Sequence, residues 1–385
     1  MQTTVGKEGT CSQAVLPRQR SAGAKFKKFQ YGGRNFSKML TLDDITKNLP
    51  SLQFDSALPD EERRGLIQLR QKNLAAISTA CAQAVYFVSI ISEVNQVILD
   101  KSRSSDKCGI TSSFSGLKIG IVGCGRLGKQ LATVLLDLGV VKASNLYIST
   151  RCPENLKEFQ NKGVFCCFDN SMVSKTVDVL FLCCLSSQLA TAAKDLRGNI
   201  TGLVYSFVAG ISLARITQLL DTQNIIKPNL MFKSDNGEMA EVLTPWKFGK
   251  DIKEIIADSD CILHTCPVYS DKSSLLEQDV KLCESYVLAV LNECTRQGIE
   301  KDEAMRMCMS TIFGLSSKDS PCLGIEDILL NKNTQGNWLE MSLPVVSLVK
   351  MACEETLLEK KIKEDEAFRS AFMTTYLKVI QKYSC

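Results

Sequence analysis

The hydrophobic pattern changes character twice along the chain. From Pro59 to about Asp100, apolar residues recur mostly every three or four positions, which predicts one long amphipathic helix. Pro59 suits the first helical position, and the acidic residues after it suit the positive end of the helix dipole. A polar, serine-rich stretch, residues 101–115, then reads as a linker.

Short apolar runs alternate with helical segments from Leu117 onward. Continuous apolar runs are typical of strands buried on both faces, and their alternation with helices indicates a mainly parallel sheet with right-handed crossovers. The predicted strands are Leu117–Val122, Leu146–Ser149, Val164–Cys167, Val177–Cys184, Gly202–Phe207 and Cys261–Thr265. The predicted helices between them are Arg126–Leu138, Pro153–Asn161, Ser187–Leu196 and Leu213–Leu220.

Strand signals stop after about Asp271. Helical spacing then predicts four helices, and the C-terminal third reads as a separate all-helical unit. These helices are Leu275–Gln297, Asp302–Phe313, Leu339–Glu359 and Asp365–Lys382.

Composition and charge limit the classes of protein that remain. Hydrophobic residues make up 45% and charged residues 23% of the 385 residues, which excludes a wholly disordered chain. The net charge is +4, but residues 1–38 carry eight basic residues and one acid, a net +7, so the remainder is net −3. We expect a basic disordered tail over residues 1–40, with a mitochondrial transit peptide as the alternative, and no nucleic-acid partner.

The seventeen cysteines are irregularly spaced, and several form adjacent pairs within apolar runs. Such a pattern is typical of reduced core cysteines and favours a cytoplasmic protein, with a mitochondrial location as the alternative. With no Cys-x-x-Cys pair and a single histidine, His264, we predict no metal site. No uncharged apolar stretch approaches 18 residues, so we predict no membrane span.

One motif carries recognisable chemistry. The sequence KIGIVGCGRLGK, residues 118–129, reads as a strand, a tight turn and a helix start with the G-x-G-x-x-G pattern. Gly123 permits the turn, Gly125 lets the backbone approach a pyrophosphate, and Gly128 lets the helix pack closely on the strand. The helix N-terminus offers free N–H groups to phosphates. We assign cofactor binding to Gly123, Cys124, Gly125, Arg126, Leu127 and Gly128, against the alternative of a glycine turn without a ligand.

The end of the second predicted strand favours NADP(H) over NAD(H). An acidic residue there would bind the ribose 2′-hydroxyl of NAD, but this chain has Ser149, Thr150 and Arg151. Arg151 can pair with a 2′-phosphate, and the two hydroxyls can donate hydrogen bonds to it. The alternative for Arg151 is a solvated side chain before a helix.

Two further strand ends belong to the same edge of the sheet. Cys184 and Leu185 follow the fourth strand, where the loop would cover the nicotinamide ribose, and Ala209 and Gly210 follow the fifth. Ligands of such sheets bind at the carboxyl ends of the strands.

The predicted fold class is α/β. A Rossmann-type, doubly wound, mainly parallel sheet is followed by an all-helical C-terminal domain and preceded by a helical N-terminal extension. The predicted domains are the basic tail (1–40), the helical extension (41–105), an NADP-binding Rossmann domain (116–270) and a helical C-terminal domain (271–385).

The order of these segments resembles the pyrroline-5-carboxylate reductase family. The matching segments, within residues 117–220, are IGIVGCGRLG, ISTRCPENLKEFQNKGV, DVLFLCCLSSQ and FVAGISLARI. The resemblance implies an N-terminal Rossmann domain that binds NADP(H) and a helical domain that forms a homodimer. It also implies reduction of an imine or carbonyl of a small carboxylated substrate.

The chain departs from the family where the family lines its imino-acid pocket. The family has a Met-Pro-Asn-Thr-Pro-like segment where this chain has IKPNLMFK, residues 226–233. A Ser-Gly-Ser-Gly-Pro-like helix start has no equivalent between Cys266 and Glu284, and Asp319–Gly324 matches a Ser-Pro-Gly-Gly-Thr-like loop only in part. A catalytically silent NADP(H)-binding sensor or interaction protein is therefore an alternative to the reductase.

Catalytic residues are not identified by the sequence. We expect His264 to be a satisfied strand residue rather than a general acid. Lys227 and Lys233 are candidates to meet a substrate carboxylate, against solvated charge. Lys281 is a loose candidate for the catalytic lysine of a hydroxyacid dehydrogenase, which is a third hypothesis.

Overall fold

The computed structural model describes residues 59–105, 116–233, 246, 251–271, 274–315 and 345–383. All helices and strands below belong to the compact unit that begins at Asp60. The predicted tail, residues 41–58 of the extension and the loop Asp319–Gly324 lie outside the described residues.

Six parallel strands of the described chain form one sheet in the order β3-β2-β1-β4-β5-β6. The order reverses between β1 and β4, which defines a doubly wound sheet and confirms the predicted fold class. The strands are β1 (Ile119–Val122), β2 (Leu146–Ser149), β3 (Phe165–Cys167), β4 (Val179–Leu182), β5 (Leu203–Ser206) and β6 (Ile225–Ile226).

Five short helices connect the strands and cover parts of both faces. On one face, Val122, Leu180 and Val204 pack against α4, α5 and α6. On the other face, Ile121 and Ile148 pack with α2 and α3. The helices are α2 (Arg126–Asp137), α3 (Lys157–Asn161), α4 (Asn170–Thr176), α5 (Ser186–Leu196) and α6 (Leu213–Leu220).

The N-terminal extension contributes one long helix, α1 (Asp60–Ser105), which contacts α2 and several C-terminal helices. Of these, α7, α9, α10 and α13 pack directly on α1. The C-terminal helices are α7 (Ile252–Ala257), α8 (Ser259–Leu263), α9 (Val280–Arg296), α10 (Lys301–Phe313), α11 (Leu348–Cys353), α12 (Leu357–Glu364) and α13 (Glu366–Gln381).

Helices α1 and α9 cover the sheet face at β5. The Phe87 ring lies 5.5 Å from that of Tyr205 on β5 and 5.3 Å from that of Tyr286 on α9. The hydroxyls of Tyr205 and Tyr286 are 3.0 Å apart, and Tyr286 also donates to the Gln83 carbonyl at 3.3 Å. A helix from the chain's beginning therefore completes a face that the sheet's own connections leave open.

Within the described residues, one helix is long and apolar enough to cross a membrane by length and composition. It is the α1 segment Arg64–Lys101, and 83% of its most apolar window is buried inside the protein. Packing against α2 and the C-terminal helices accounts for that apolar character.

Several element predictions were wrong in detail. Residues 261–265 are not a strand: α8 occupies Ser259–Leu263, and the Asp258 carboxylate caps it by accepting from the Asp260 and Cys261 amides. A short apolar run does not distinguish helix from strand by period alone. The predicted helix Leu339–Glu359 is divided in its described part into α11 and α12, and Thr356 caps the second.

Candidate functional site

The glycine turn after β1 is built by backbone contacts that exclude larger residues. Gly123 has φ +91°, and a Cβ there would lie 2.8 Å from the Cys184 amide nitrogen. A Cβ on Gly128 would lie 2.2 Å from the Gly123 carbonyl oxygen. The Gly123 amide also donates to the Ser149 carbonyl at 2.9 Å, which joins the turn to the end of β2.

Gly125 is different, because the space in front of it is open. No heavy atom lies within 4 Å of the position its Cβ would take. It is the N-cap of α2, with extended backbone and no side-chain cap on the helix start. The first amides of this twelve-residue helix are thus left to an outside acceptor, and the cradle fits a pyrophosphate.

Three side chains of the turn have different surroundings. Arg126 is exposed, whereas Leu127 packs against the core. Burial raises the pKa of the half-buried Cys124 thiol to about 11. This thiol is therefore neutral at physiological pH and acts as a small turn residue.

Three residues at the end of β2 were predicted to bind a 2′-phosphate, and only Arg151 has an exposed side chain without a partner among the described residues. The Ser149 hydroxyl is buried and donates to the Asn170 side-chain carbonyl at 2.5 Å, so it is already engaged. Thr150 is partly exposed, and its amide donates to the Cys167 carbonyl at 3.0 Å. Arg151 is exposed, and its guanidinium has no hydrogen-bond or ion-pair partner among the described residues. Arg151 is therefore available to an anion.

The ends of β4 and β5 complete the edge. Cys184 is partly buried, and burial raises the pKa of its thiol. Leu185 is 67% exposed although it is apolar, and Ala209 and Gly210 are exposed after β5. An apolar side chain in this position offers a contact surface to a planar ring.

Beyond β6, a buried carboxylate fixes the segment that departs most from the resembled family. Asp279 is the N-cap of α9 and accepts from the Leu282 amide at 3.1 Å. Its other oxygen accepts from the Asn229 amide at 2.5 Å. Burial raises the pKa of Asp279 to about 6, against the opposing effects of these amides and of Lys227. The predicted helix from Leu275 was too long, because α9 begins only at Val280.

His264 lies at the C-cap of α8 and not on a strand. Its Nδ1 is 3.4 Å from the Ser274 hydroxyl, and its ring makes edge contacts with Trp246 and Tyr269. Burial lowers its pKa, which favours a neutral ring. The surroundings are those of a packed histidine.

Lys281 belongs to an ion-pair network on the C-terminal helices. Its Nζ lies 2.8 Å from carboxylate oxygens of both Glu284 and Glu359. It also donates to the Met351 and Glu354 carbonyls, which close α11. With all its donors engaged, Lys281 is a structural residue and not a free catalytic amine.

Fold and turn together define a dinucleotide-binding protein of the Rossmann class. Residues 118–209 match the family described as NADP oxidoreductase, coenzyme F420-dependent. The chain is 27% identical to the mouse (Mus musculus) NADP-dependent oxidoreductase domain-containing protein 1 over 351 residues, which cover 87% of this chain and 93% of that protein.

The resemblance to pyrroline-5-carboxylate reductases is confirmed as well. Pyrroline-5-carboxylate reductase 3 of Danio rerio is 29% identical over 121 residues, covering 31% of this chain and 42% of that protein. A pyrroline-5-carboxylate reductase structure from Coxiella burnetii covers 69% of this chain and 97% of its own, at 16% identity and a TM-score of 0.28. In sequence, the chain is thus similar to the mouse protein over most of its length and to a pyrroline-5-carboxylate reductase over about a third of it.

Two residues that matter at this edge were missed by sequence reasoning. Asn170 engages Ser149 from the start of α4, a short helix that no pattern indicated. Asp279 comes directly before the apolar residues of α9, and an aspartate in that position is typical of a helix N-cap. The apolar residues at 275 and 276 concealed it, because they extend the helical pattern upstream.

Proposed function

We propose that the protein is an NADPH-dependent reductase of an imine or carbonyl in a small carboxylated substrate. The observation that carries the proposal is the open cradle at Gly125, with uncapped helix amides behind it. When bound, NADPH supplies the hydride, and the reduced group gains a proton as well. Hydride transfer needs substrate and cofactor held in register more than it needs a strong acid or base.

In this proposal, the turn residues Gly123–Gly128 hold the pyrophosphate. Arg151 meets the 2′-phosphate, and Thr150 supports it with its hydroxyl. Cys184, Leu185, Ala209 and Gly210 line the nicotinamide end. Ser149 acts indirectly, because its hydroxyl already belongs to Asn170.

The test begins with fluorescence titration of the purified full-length protein with NADPH and with NADH. Pyrroline-5-carboxylate is then added to the NADPH complex, and NADPH oxidation is followed at its absorbance maximum. We expect NADPH to bind more tightly than NADH and to be oxidised. If neither nucleotide binds, the proposal fails, and the turn is only a structural feature.

NADPH that binds but stays reduced would favour the alternative, an NADP(H)-binding protein without catalysis. The departures from the resembled family in the segments that line its substrate pocket, residues 226–233 and 266–284, support this alternative. A panel of small cyclic imines and 2-oxo acids tests for a reductase with another substrate. Oxidation of NADPH by any of them would exclude the protein without catalysis.

A further inference from the structure

Basic side chains lie at both ends of the carboxyl edge of the sheet. Arg126 and Arg151 lie at the ends of β1 and β2, and Lys227 directly follows β6 at the other side. A dinucleotide lies across this edge where the strand order reverses. With the 2′-phosphate at Arg151, the nicotinamide points toward β4 and β5, so the substrate comes next, toward β6.

Lys227 is a partly buried cation without an oxygen partner among the described residues. Its neighbour in the same segment, Lys233, shows the contrast, because the Lys233 amine donates to the Asp271 carbonyl at 2.7 Å. Removing a cation from water without a compensating anion is unfavourable. Lys227 is therefore the freer of the two amines to bind an anion, since one N–H donor of Lys233 is already engaged by the Asp271 carbonyl.

The other positive group at this end, the N-terminus of α9, is neutralised by the protein itself. The Asp279 carboxylate binds the Leu282 and Asn229 amides and is 8% exposed. A substrate carboxylate placed there would meet a buried acid instead of free amides. Lys227 lies close enough to Asp279 to lower the pKa of that carboxyl, but no hydrogen bond or ion pair joins the two side chains in the described structure, so its N–H donors stay available to a ligand.

The segment after Lys227 is held in a fixed position. Phe232 pairs with Leu276 in an antiparallel bridge, and the Glu277 amide donates to the Met231 carbonyl at 2.9 Å. Together with the Asn229–Asp279 contact, this bridge anchors the segment to the helical domain. A lysine at the start of an anchored segment is suited to defined binding of a ligand.

We propose that Lys227 binds the carboxylate of the substrate. The proposal deepens the proposed function and rests on it for the direction in which the nicotinamide points. It assigns substrate selection to the end of β6 instead of the start of α9.

The test compares two unreactive five-membered rings, cyclopentanecarboxylate and its neutral carboxamide, as ligands of the full-length protein saturated with NADP⁺. Dissociation constants are measured by ligand-detected NMR for the wild type, Lys227→Met and the matched control Lys233→Met. A charge-assisted hydrogen bond is lost in Lys227→Met, so we expect its affinity for the carboxylate to fall roughly ten-fold or more. Lys233→Met and carboxamide binding stay within about two-fold, since neither involves the Lys227 charge.

The proposal is overturned if Lys227→Met binds the carboxylate as the wild type does, or if the wild type does not prefer the carboxylate. If Lys227 serves only as a counter-charge to Asp279, Lys227→Met changes the stability of the protein and leaves its affinity for the carboxylate unchanged. Wild-type reduction of 1-pyrroline at least as fast as pyrroline-5-carboxylate would overturn the carboxylate site and leave the reductase proposal standing. If the carboxylate binds through Lys227 but neither imine is reduced, the carboxylate site stands and the reductase proposal fails.

Discussion

At the scale of single residues, the three motif glycines differ in what a side chain would meet. Gly123 and Gly128 face backbone atoms, whereas Gly125 faces open space at the start of α2. The same sequence pattern thus contains two positions closed by backbone packing and one open position, where we propose that the pyrophosphate binds. Substitutions separate these roles.

Gly125→Val is expected to abolish binding of NADPH and NADH while leaving the protein folded. Its φ of −79° is negative, as in most non-glycine residues, and its Cβ position is open, so the added methyl groups would occupy the pyrophosphate position. Nucleotide titration measures the loss of binding, and thermal unfolding measures whether the protein stays folded.

Gly128→Ala is the control variant. Its Cβ would meet the Gly123 carbonyl, so this substitution should lower the melting temperature. Normal nucleotide affinity in Gly125→Val would contradict the pyrophosphate assignment.

Arg151→Ala is expected to weaken NADPH binding far more than NADH binding. A lost guanidinium–phosphate pair costs about 1.5–3 kcal/mol, or roughly ten- to a hundred-fold in affinity. The control is Ser149→Ala, which should leave the NADPH-to-NADH preference unchanged because its hydroxyl is held by Asn170. An equal loss for both nucleotides in Arg151→Ala would remove this residue from the 2′-phosphate site.

Asp279 should make stability depend on pH. Its pKa rises from 3.8 to about 6 on folding, so the folded state binds its proton more tightly than the unfolded chain. The stabilisation is fully present below pH 3.8 and is lost as pH rises through about 6, a change of about 3 kcal/mol. Urea unfolding from pH 4 to 7 should show a shallower loss in Asp279→Asn than in the wild type. Parallel curves for the two proteins would argue against the raised pKa.

At the scale of elements, strands and amphipathic helices of the nucleotide-binding region were predictable, because each buries a recognisable apolar pattern. The bounds of an element were predicted wrongly where contacts with a segment distant in sequence determine where it begins or ends. The start of α9 depends on the Asp279 cap and on pairing of residues 275–277 with 231–233. Strand β6 has two residues, too few for a period to appear. At the site, the glycine turn is local in sequence, but the partners of Ser149 and Lys281 come from distant elements.

The network around Lys281 joins α9, α11 and α12, and Lys281→Met should destabilise the protein by about 3 kcal/mol. The variant leaves the buried carboxylates of Glu284 and Glu359 without their shared cation. Denaturant unfolding measures the loss, and the double variant Lys281→Met/Glu284→Gln should recover part of it. If Lys281→Met instead kept wild-type stability and lost only NADPH oxidation, the structural role would be wrong.

At the scale of the whole molecule, α1 joins the sheet to the C-terminal helices. It packs on α2 of the nucleotide-binding region and on α9, α10 and α13. The helix faces that contact α1 are therefore buried within the protein and are not available to a partner chain. The predicted homodimer stays a prediction, and its interface must use other surfaces of these helices.

Phe87→Ala is expected to cost about 3–5 kcal/mol, because the ring is fully buried between β5 and α9. Since α1 contacts both regions, far-UV circular dichroism and tyrosine fluorescence should still report a single unfolding transition. Phe165→Ala, at a half-exposed ring on the edge strand β3, is the matched control and should change stability little. Two separate transitions in the wild type would contradict a joining role for α1.

The position of α1 at the beginning of the chain also sets the order of events during synthesis. Its partners are made much later: Gln83 donates to the Thr265 carbonyl across 182 positions, and Tyr86 to the Ile312 carbonyl across 226. Within the described chain, the one helix long and apolar enough to cross a membrane therefore emerges from the ribosome long before the surface that buries it exists. Contacts of such long sequence separation slow folding and expose the nascent chain to aggregation. Between synthesis of α1 and synthesis of α13, the apolar side of α1 lacks the C-terminal helices that bury it in the folded protein.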